Sequence, residues 1–378
     1  MKLSKKERVF FIGLILLILK TWGTISIYIN FSNYIDKGLL FSSYICFFIS
    51  IFFDEKYKLK ELIKYVLFAV VGIMTYYYSK YTDFMTIIVI YISSRNINMK
   101  KIIKIIFGIN TLLIFLHMSV YMAFIIFDNN MNILSRLING KTIYRYSFGF
   151  LHPNTFGIVV FWTTAIYYYI NFETIKVRDY IITIFLAIFI YKVPNSRTSA
   201  ISLIIMIILI ILTKRNLLKF KIVNIFYTII LIICITSIFC IDNKFISILD
   251  RSINSRFTLA YIIYKEKGIP LLGQNISGGI STYVNGSYYN NINIIDNSYL
   301  ALLLNYGIIA FVIFNVLMVN LLKNSKKSKE IVFLVIWIFF AISETVCLMP
   351  AIAFPLLWLN NNQLIKNKEN IDEQESIS

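Results

Sequence analysis

Arginine carries most of the polar chemistry this sequence offers. Arg145 stands just before the run FGFLHPNTF at 148–156, and Arg197 sits in PNSRT at 194–198. Arg251 and Arg256 lie in LDRSINSRF at 249–257, followed by Asp296, Asn297 and Tyr299 in DNSYLALLLNYG. A guanidinium offers paired donors that match a phosphate or carboxylate, so arginine rather than lysine at such places points to an anionic group. Three of these stretches also open apolar runs. Pro153 suits the first turn of a helix, with His152 near the cap, Asn195 or Ser196 can cap a helix after 198, and Asp296 can cap one after 297. Helix N-termini carry unbonded N–H groups and a partial positive charge, so three of them beside arginines make an anion site. Asp296 is the carboxylate that could deprotonate or orient a hydroxyl there, with Glu344 behind it.

The elements that hold these residues are read from the apolar runs. The chain of 378 residues is 58% apolar and only 15% charged, too little charge to cover a soluble surface. Apolar runs near bilayer length recur along it, and the pattern predicts an all-α, polytopic membrane bundle of about twelve spans over 1–361. Four spans, at 38–53, 81–94, 180–193 and 351–361, are short, and ten remain possible if 62–94 forms a re-entrant pair. Of the 37 lysines and arginines, 24 fall in one set of alternating connections and 12 in the other, with Lys20 inside the first span. The positive-inside rule puts both termini in the cytoplasm and the outer loops at 128–148 and 242–296. The net charge of +18 then follows from topology and from anionic lipid, and calls for no nucleic acid. A polar tail at 362–378 is expected to be disordered. The stretch 249–264 has Leu249, Ile253, Phe257, Ala260 and Tyr264 at helical spacing, which predicts one helix lying flat on the outer interface.

Several function classes are excluded or weakened. The sequence has no GxxxxGK[ST] loop, no DxD pair, no long loop on the inner side and no evident internal repeat. Cys46, Cys234, Cys240 and Cys347 all fall in predicted spans with no CxxC, so buried free thiols are expected and no metal framework. No cofactor or metal site is predicted. His117, mid-span, is read as a packed, hydrogen-bonded histidine. Lys20 and Glu344, both within spans, are expected to pair with each other or, for Lys20, to reach the interface.

Four stretches carry a resemblance. RYSFGFLHPNTFG, PNSRTS, SRFTLAYIIYKEKGIPLLGQN and DNSYLALLLNYGII, in that order over about 145–310, resemble Wzy-type polysaccharide polymerases of the O-antigen ligase/polymerase superfamily. The resemblance implies a GT-C-like bundle in the bacterial plasma membrane. It implies a metal-independent glycosyltransferase that joins oligosaccharide repeat units carried on undecaprenyl diphosphate at the outer face. A flippase and a chain-length regulator of the same pathway would be its partners. It assigns diphosphate binding to Arg197 and Arg256 first, then Arg145 and Arg251, with His152, Asn154, Asn297 and Tyr299 shaping the substrate site. Ligase relatives often begin the last motif with His where Asp296 stands here, which favours polymerase over ligase. The RX10G pattern of some polymerases is not met, because Gly268 lies one residue too far from Arg256. A ligase-like transferase and a non-enzymatic flippase or transporter are the alternatives.

Overall fold

The computed structural model describes residues 3–360, apart from residue 30 and the stretches 55–56, 129–132, 139–140, 216, 218–219, 285–286 and 326–327. The side chains of 128, 136–138, 141, 220–222, 287 and 328 also lie outside the description, Arg136 among them, as does the tail 362–378. Mostly helical, the described chain runs Lys5–Ile25 (α1), Asn33–Ile51 (α2), Leu59–Ser79 (α3), Asp83–Ser93 (α4) and Met99–Asp128 (α5), then a hairpin of Ile133–Ile138 (β1) and Lys141–Tyr146 (β2). Pro153–Ile170 (α6), Val177–Lys192 (α7), Arg197–Lys214 (α8), Phe220–Ser237 (α9), Lys244–Ser252 (α10) and Arg256–Lys267 (α11) follow. A second hairpin, Ile280–Val284 (β3) and Ser287–Ile292 (β4), precedes Ser298–Leu304 (α12), Gly307–Asn324 (α13) and Ser328–Ala341 (α14).

Six of the described helices, α1, α2, α3, α5, α8 and α13, are long and apolar enough to cross a membrane. Their exposed faces are apolar, as along Leu62, Ile63, Val66, Leu67 and Val70 of α3. Such faces are tolerated where lipid rather than water covers them. The architecture is that of a multi-pass helical membrane protein.

Several boundaries differ from the sequence reading. The expected span 297–322 is two helices, α12 and α13, broken at Asn305 and Tyr306, with Gly307 at φ 89°. The break is held by backbone. Gln274 N–H donates to the Asn305 carbonyl at 2.9 Å, and Ile308 N–H and Ile309 N–H donate to the carbonyls of Pro270 and Leu271. A Cβ on Gly307 would lie 2.6 Å from the Leu271 oxygen, so only glycine permits this approach. The expected last span, 351–361, is no α-helix. Only a 3-10 turn forms over Phe354–Trp358, since Pro350 and Pro355 each remove a backbone donor. α14 ends at Ala341, short of 349. α4 has 11 residues, eight of them buried, and spans about 16 Å at 1.5 Å per residue, about half a bilayer core. The single interfacial helix expected at 249–264 is two helices, α10 and α11, because Asn254 and Ser255 take left-handed backbone at φ 58° and 60°.

Two hairpins stand in what were expected to be an irregular loop and a loop with one helix. Each has an Asn-Gly dipeptide between its strands in sequence, Asn139-Gly140 and Asn285-Gly286, which is the strongest short-range hairpin signal. All four cysteines are free, but only Cys234 and Cys347 are buried. Cys46 is partly exposed, and Cys240 is exposed in the turn after α9.

Where one membrane domain was expected, the chain divides into two compact units, each discontinuous in sequence. The first comprises Met1–Phe53 with Ile97–Leu218, and the second Asp54–Asn96 with Lys219–Ser378. In the first unit α1 packs on α2, with a Cβ on Gly13 reaching within 3.0 Å of Cys46, and α5, α6, α7 and α8 follow one another. In the second unit α12 is buried along its whole length among α9, α11, α13 and the Thr345–Leu348 turn. α3 packs on α13, and Tyr306 donates to Asp83 Oδ2 at 2.9 Å.

Candidate functional site

In the first unit the starts of α6 and α8 come together at Arg145. The side chain is buried. Its Nε donates to the Pro194 carbonyl at 3.1 Å, and its Nη2 donates to Asn154 Oδ1 at 2.6 Å and to the Asn195 carbonyl at 3.4 Å. Arg145 thus ties β2 to the PNSRT turn and the first turn of α6. Its observed donors meet neutral oxygens of the protein, so its role here is to position rather than to face solvent. Gly157 lets the two helices close, since a Cβ there would lie 2.5 Å from Ser196 Oγ.

His152 is the N-cap of α6, as its place before Pro153 implied, and its Nδ1 accepts from Asn154 N–H at 3.1 Å. Ser196 occupies the N-cap position of α8, but its hydroxyl donates to Ser199 Oγ instead of capping the backbone. Asn195 takes left-handed backbone at φ 53°. Arg197, the first residue of α8, is exposed and its side chain makes no hydrogen bond or ion pair among the described residues. A cation at a helix N-terminus is electrostatically unfavourable unless an anion joins it.

The second histidine serves the same segment. His117 is buried, with Nε2 3.0 Å from the Phe148 carbonyl and Nδ1 3.3 Å from Ser26 Oγ. A carbonyl can only accept, so Nε2 carries the proton and Nδ1 accepts from the serine. Phe148 and Gly149 have positive φ, and Ile27 N–H and Leu151 N–H bond across to the Gly149 and Ile25 carbonyls. His117 therefore braces a strained turn that His152 then caps. His117→Gln should keep one of the two bonds and lower the unfolding free energy by about 1 kcal/mol, whereas His117→Ala should cost about 2–4 kcal/mol by also opening a cavity beside Phe150 and Trp22. Unfolding of purified protein in detergent checks this, and equal losses for Gln and Ala would deny the hydrogen bonds any part.

The second unit assembles the ionic centre. Asp250, at the end of α10, accepts from the backbone N–H of Phe257 at 2.7 Å and of Thr258 at 3.3 Å, and from Thr258 Oγ1 at 2.5 Å. It caps α11 from outside that helix and so fixes the direction of Arg256, its first residue. Sequence reasoning passed over Asp250. The signal was a carboxylate before a polar turn that precedes a helix. Arg256 is buried, with Nη2 3.1 Å from Glu344 Oε1 and Nη1 3.8 Å from Asp296 Oδ2. Glu344 therefore pairs with Arg256 and not with Lys20, which lies 3.7 Å from Asp36 in the first unit. The Glu344 side chain is 9% exposed and that of Asp296 40%. One carboxylate is an internal counter-ion, and the other is open.

Asp296 does not cap α12; Asn297 does, accepting from Leu300 N–H at 2.9 Å. Asn297 Nδ2 donates to the Ile342 carbonyl and Tyr299 OH to the Ile338 carbonyl. Both residues were expected to touch substrate. Both are instead fully buried, tying α12 to the end of α14 so that Asp296 and Glu344 reach the same guanidinium. Ser298 Oγ donates to the Glu344 carbonyl at 2.6 Å and adds to that clamp. Arg251, in the last turn of α10, is exposed and its side chain has no partner among the described residues. Among those residues no cluster of three or more His, Cys, Asp or Glu could hold a metal ion.

No protein family, no curated protein and no solved structure matches this chain. The resemblance to polysaccharide polymerases therefore stands on the four quoted stretches alone. Two of those, SRFTLAYIIYKEKGIPLLGQN and DNSYLALLLNYGII, are the pieces that build the Arg256 centre and the α12–α13 break.

Proposed function

We propose that this chain is a polymerase of lipid-linked oligosaccharide repeat units, working at the outer face of a bacterial plasma membrane as a bundle of about twelve GT-C-like spans. The observation that carries the reading is the Arg256 centre: a buried guanidinium, fixed at the start of α11, holds one enclosed carboxylate and one open carboxylate. An open carboxylate at Asp296, its side chain 40% exposed, suits a base that orients an acceptor hydroxyl. The hydroxyl oxygen of one unit attacks the anomeric carbon of another chain, and the new C–O bond forms as the bond to undecaprenyl diphosphate breaks. The hydroxyl proton passes to Asp296 and then to water, and the electron pair leaves with the diphosphate. Attack in one displacement inverts the anomeric carbon. Arg251, exposed and with no side-chain partner among the described residues, suits the leaving diphosphate in this unit, and the resemblance assigns Arg197 the same role.

Deleting the gene in its host tests the reading. A polymerase deletion leaves single lipid-linked units at the outer face and no polymer. Polymer retained on the carrier would indicate a ligase, and units confined to the inner face a flippase. The transporter alternative draws on the α12–α13 break, since interrupted helices line many transport sites, and on the buried Asn305 Oδ1 there, which has no partner among the described residues.

Two further outcomes are expected. Arg197→Lys should lower turnover about 10- to 150-fold at matched protein levels, because lysine is a point charge where two parallel donors are wanted. Full activity would remove Arg197 from the site. Sidedness can be read from a native residue: an impermeant thiol reagent should label Cys240 in intact cells and label nothing there in Cys240→Ser. Labelling only after permeabilisation would reverse the topology.

A further inference from the structure

Residues 268–295 carry no charged side chain, in a chain with 37 lysines and arginines. They offer amides, hydroxyls and three tyrosines instead. The β3–β4 hairpin arranges them on one face. Tyr283 and Tyr288 are direct cross-strand partners, their rings 4.9 Å apart at 46°, and they are 69% and 56% exposed. Two residues along, on the same face, Ser281 Oγ donates to Asn290 Oδ1 at 2.8 Å and accepts from Asn291 N–H at 3.0 Å. Ser281, Asn290 and Asn291 are exposed, and Asn291 sits at φ 52° beside a register irregularity after Ile280. The alternate residues Thr282, Val284 and Tyr289 are more buried, and the hairpin packs on α11.

We infer that this face of the hairpin is a glycan-binding platform, with Tyr283 and Tyr288 stacking against sugar rings and Ser281 and Asn290 meeting their hydroxyls. The inference rests on the proposed function for the source of the glycan. Aromatic faces are negative and attract the slightly positive C–H groups of a pyranose, while amides and hydroxyls both donate and accept, as vicinal sugar hydroxyls require. The lack of charge selects among partners. A hairpin made to lie on anionic lipid would carry lysine or arginine, and one made to hold phosphate would carry arginine. A neutral polyol needs neither. Position agrees: the eight steps from Tyr288 to Asp296 reach at most roughly 29 Å, so a glycan of several sugars whose reacting end lies at Asp296 has its later sugars within reach of the tyrosines.

The test uses the full chain in nanodiscs, with oligosaccharides released by mild acid from the lipid-linked fraction of cells that make the protein. Saturation-transfer NMR should show binding that weakens on the order of tenfold or more in the Tyr283→Ala/Tyr288→Ala pair and is kept in the Tyr283→Phe/Tyr288→Phe pair, since the rings carry the contact. No binding by the parent chain, or equal binding by parent and alanine pair, overturns the inference. So does strong quenching of a Tyr283→Trp variant by brominated lipid, which would place the face in the headgroup layer. Binding is read without turnover, so it is decided separately from polymer formation. Loss of the polymerase reading leaves a measurable glycan affinity to accept or reject.

Discussion

Asp296→Asn is expected to reduce polymer formation by roughly 10²–10⁴-fold, the usual contribution of a positioned base, while the protein stays folded. The two effects separate because Asp296 is open, its side chain 40% exposed, and its nearest guanidinium contact is loose at 3.8 Å. Arg256 keeps its closer partner, Glu344 at 3.1 Å, when Asp296 is neutralised. Asparagine preserves shape and can still accept from Arg256, so what it removes is the capacity to take a proton. The assay is polymer formed from lipid-linked units at matched membrane levels, with thermal unfolding alongside. Unchanged polymer formation by Asp296→Asn would end the assignment of a base at this position and move the search to Glu344.

Glu344→Ala should behave in the opposite way, with stability lost first. It leaves Arg256 buried beside a partner that is only loosely placed, and removing one member of a buried pair costs about 3–5 kcal/mol. The double replacement Arg256→Met/Glu344→Leu removes both charges together and should recover most of that stability, because apolar side chains of similar volume fill the space without an unpaired ion. Activity should not return in the double variant, since nothing then holds Asp296. Denaturant midpoints in detergent read the first effect and polymer yield the second. A Glu344→Ala protein as stable as its parent would mean that Arg256 finds solvent easily and that the pair is not a buried one.

Much of the site was legible because polar residues in an apolar chain are conspicuous. His152 before Pro153 follows from local rules, since a cap and a proline act within one turn. The packed role of His117 was legible too, though not its partner, Phe148, which lies 31 residues away. The partners of Arg145 and Arg256 were not legible. A guanidinium turned inward onto the Pro194 and Asn195 carbonyls has the same sequence signature as one turned toward a phosphate. Glu344 could be flagged as an intramembrane ion, but a single sequence holds nothing that pairs it with Arg256 across 88 positions. The inward bonds of Asn297 and Tyr299 were not legible for the same reason: a side chain that bonds helix to helix looks like one that awaits a substrate.

The amino-acid sequence alone determines that this is a helical, multi-pass membrane protein, since apolar runs of bilayer length have one stable form in lipid. It also determines the start of α6, where the cap and the proline are local signals. Tertiary structure alone decides that 297–322 is broken. That break exists because Gly273 and Gly307 let two backbones approach and satisfy each other's donors, a pairing between segments more than 30 residues apart. Tertiary structure also decides which ions are enclosed and which are open. Whether Arg256 meets water or Glu344 depends on where α11 and the end of α14 come to rest, and long-range packing, not local preference, sets that position.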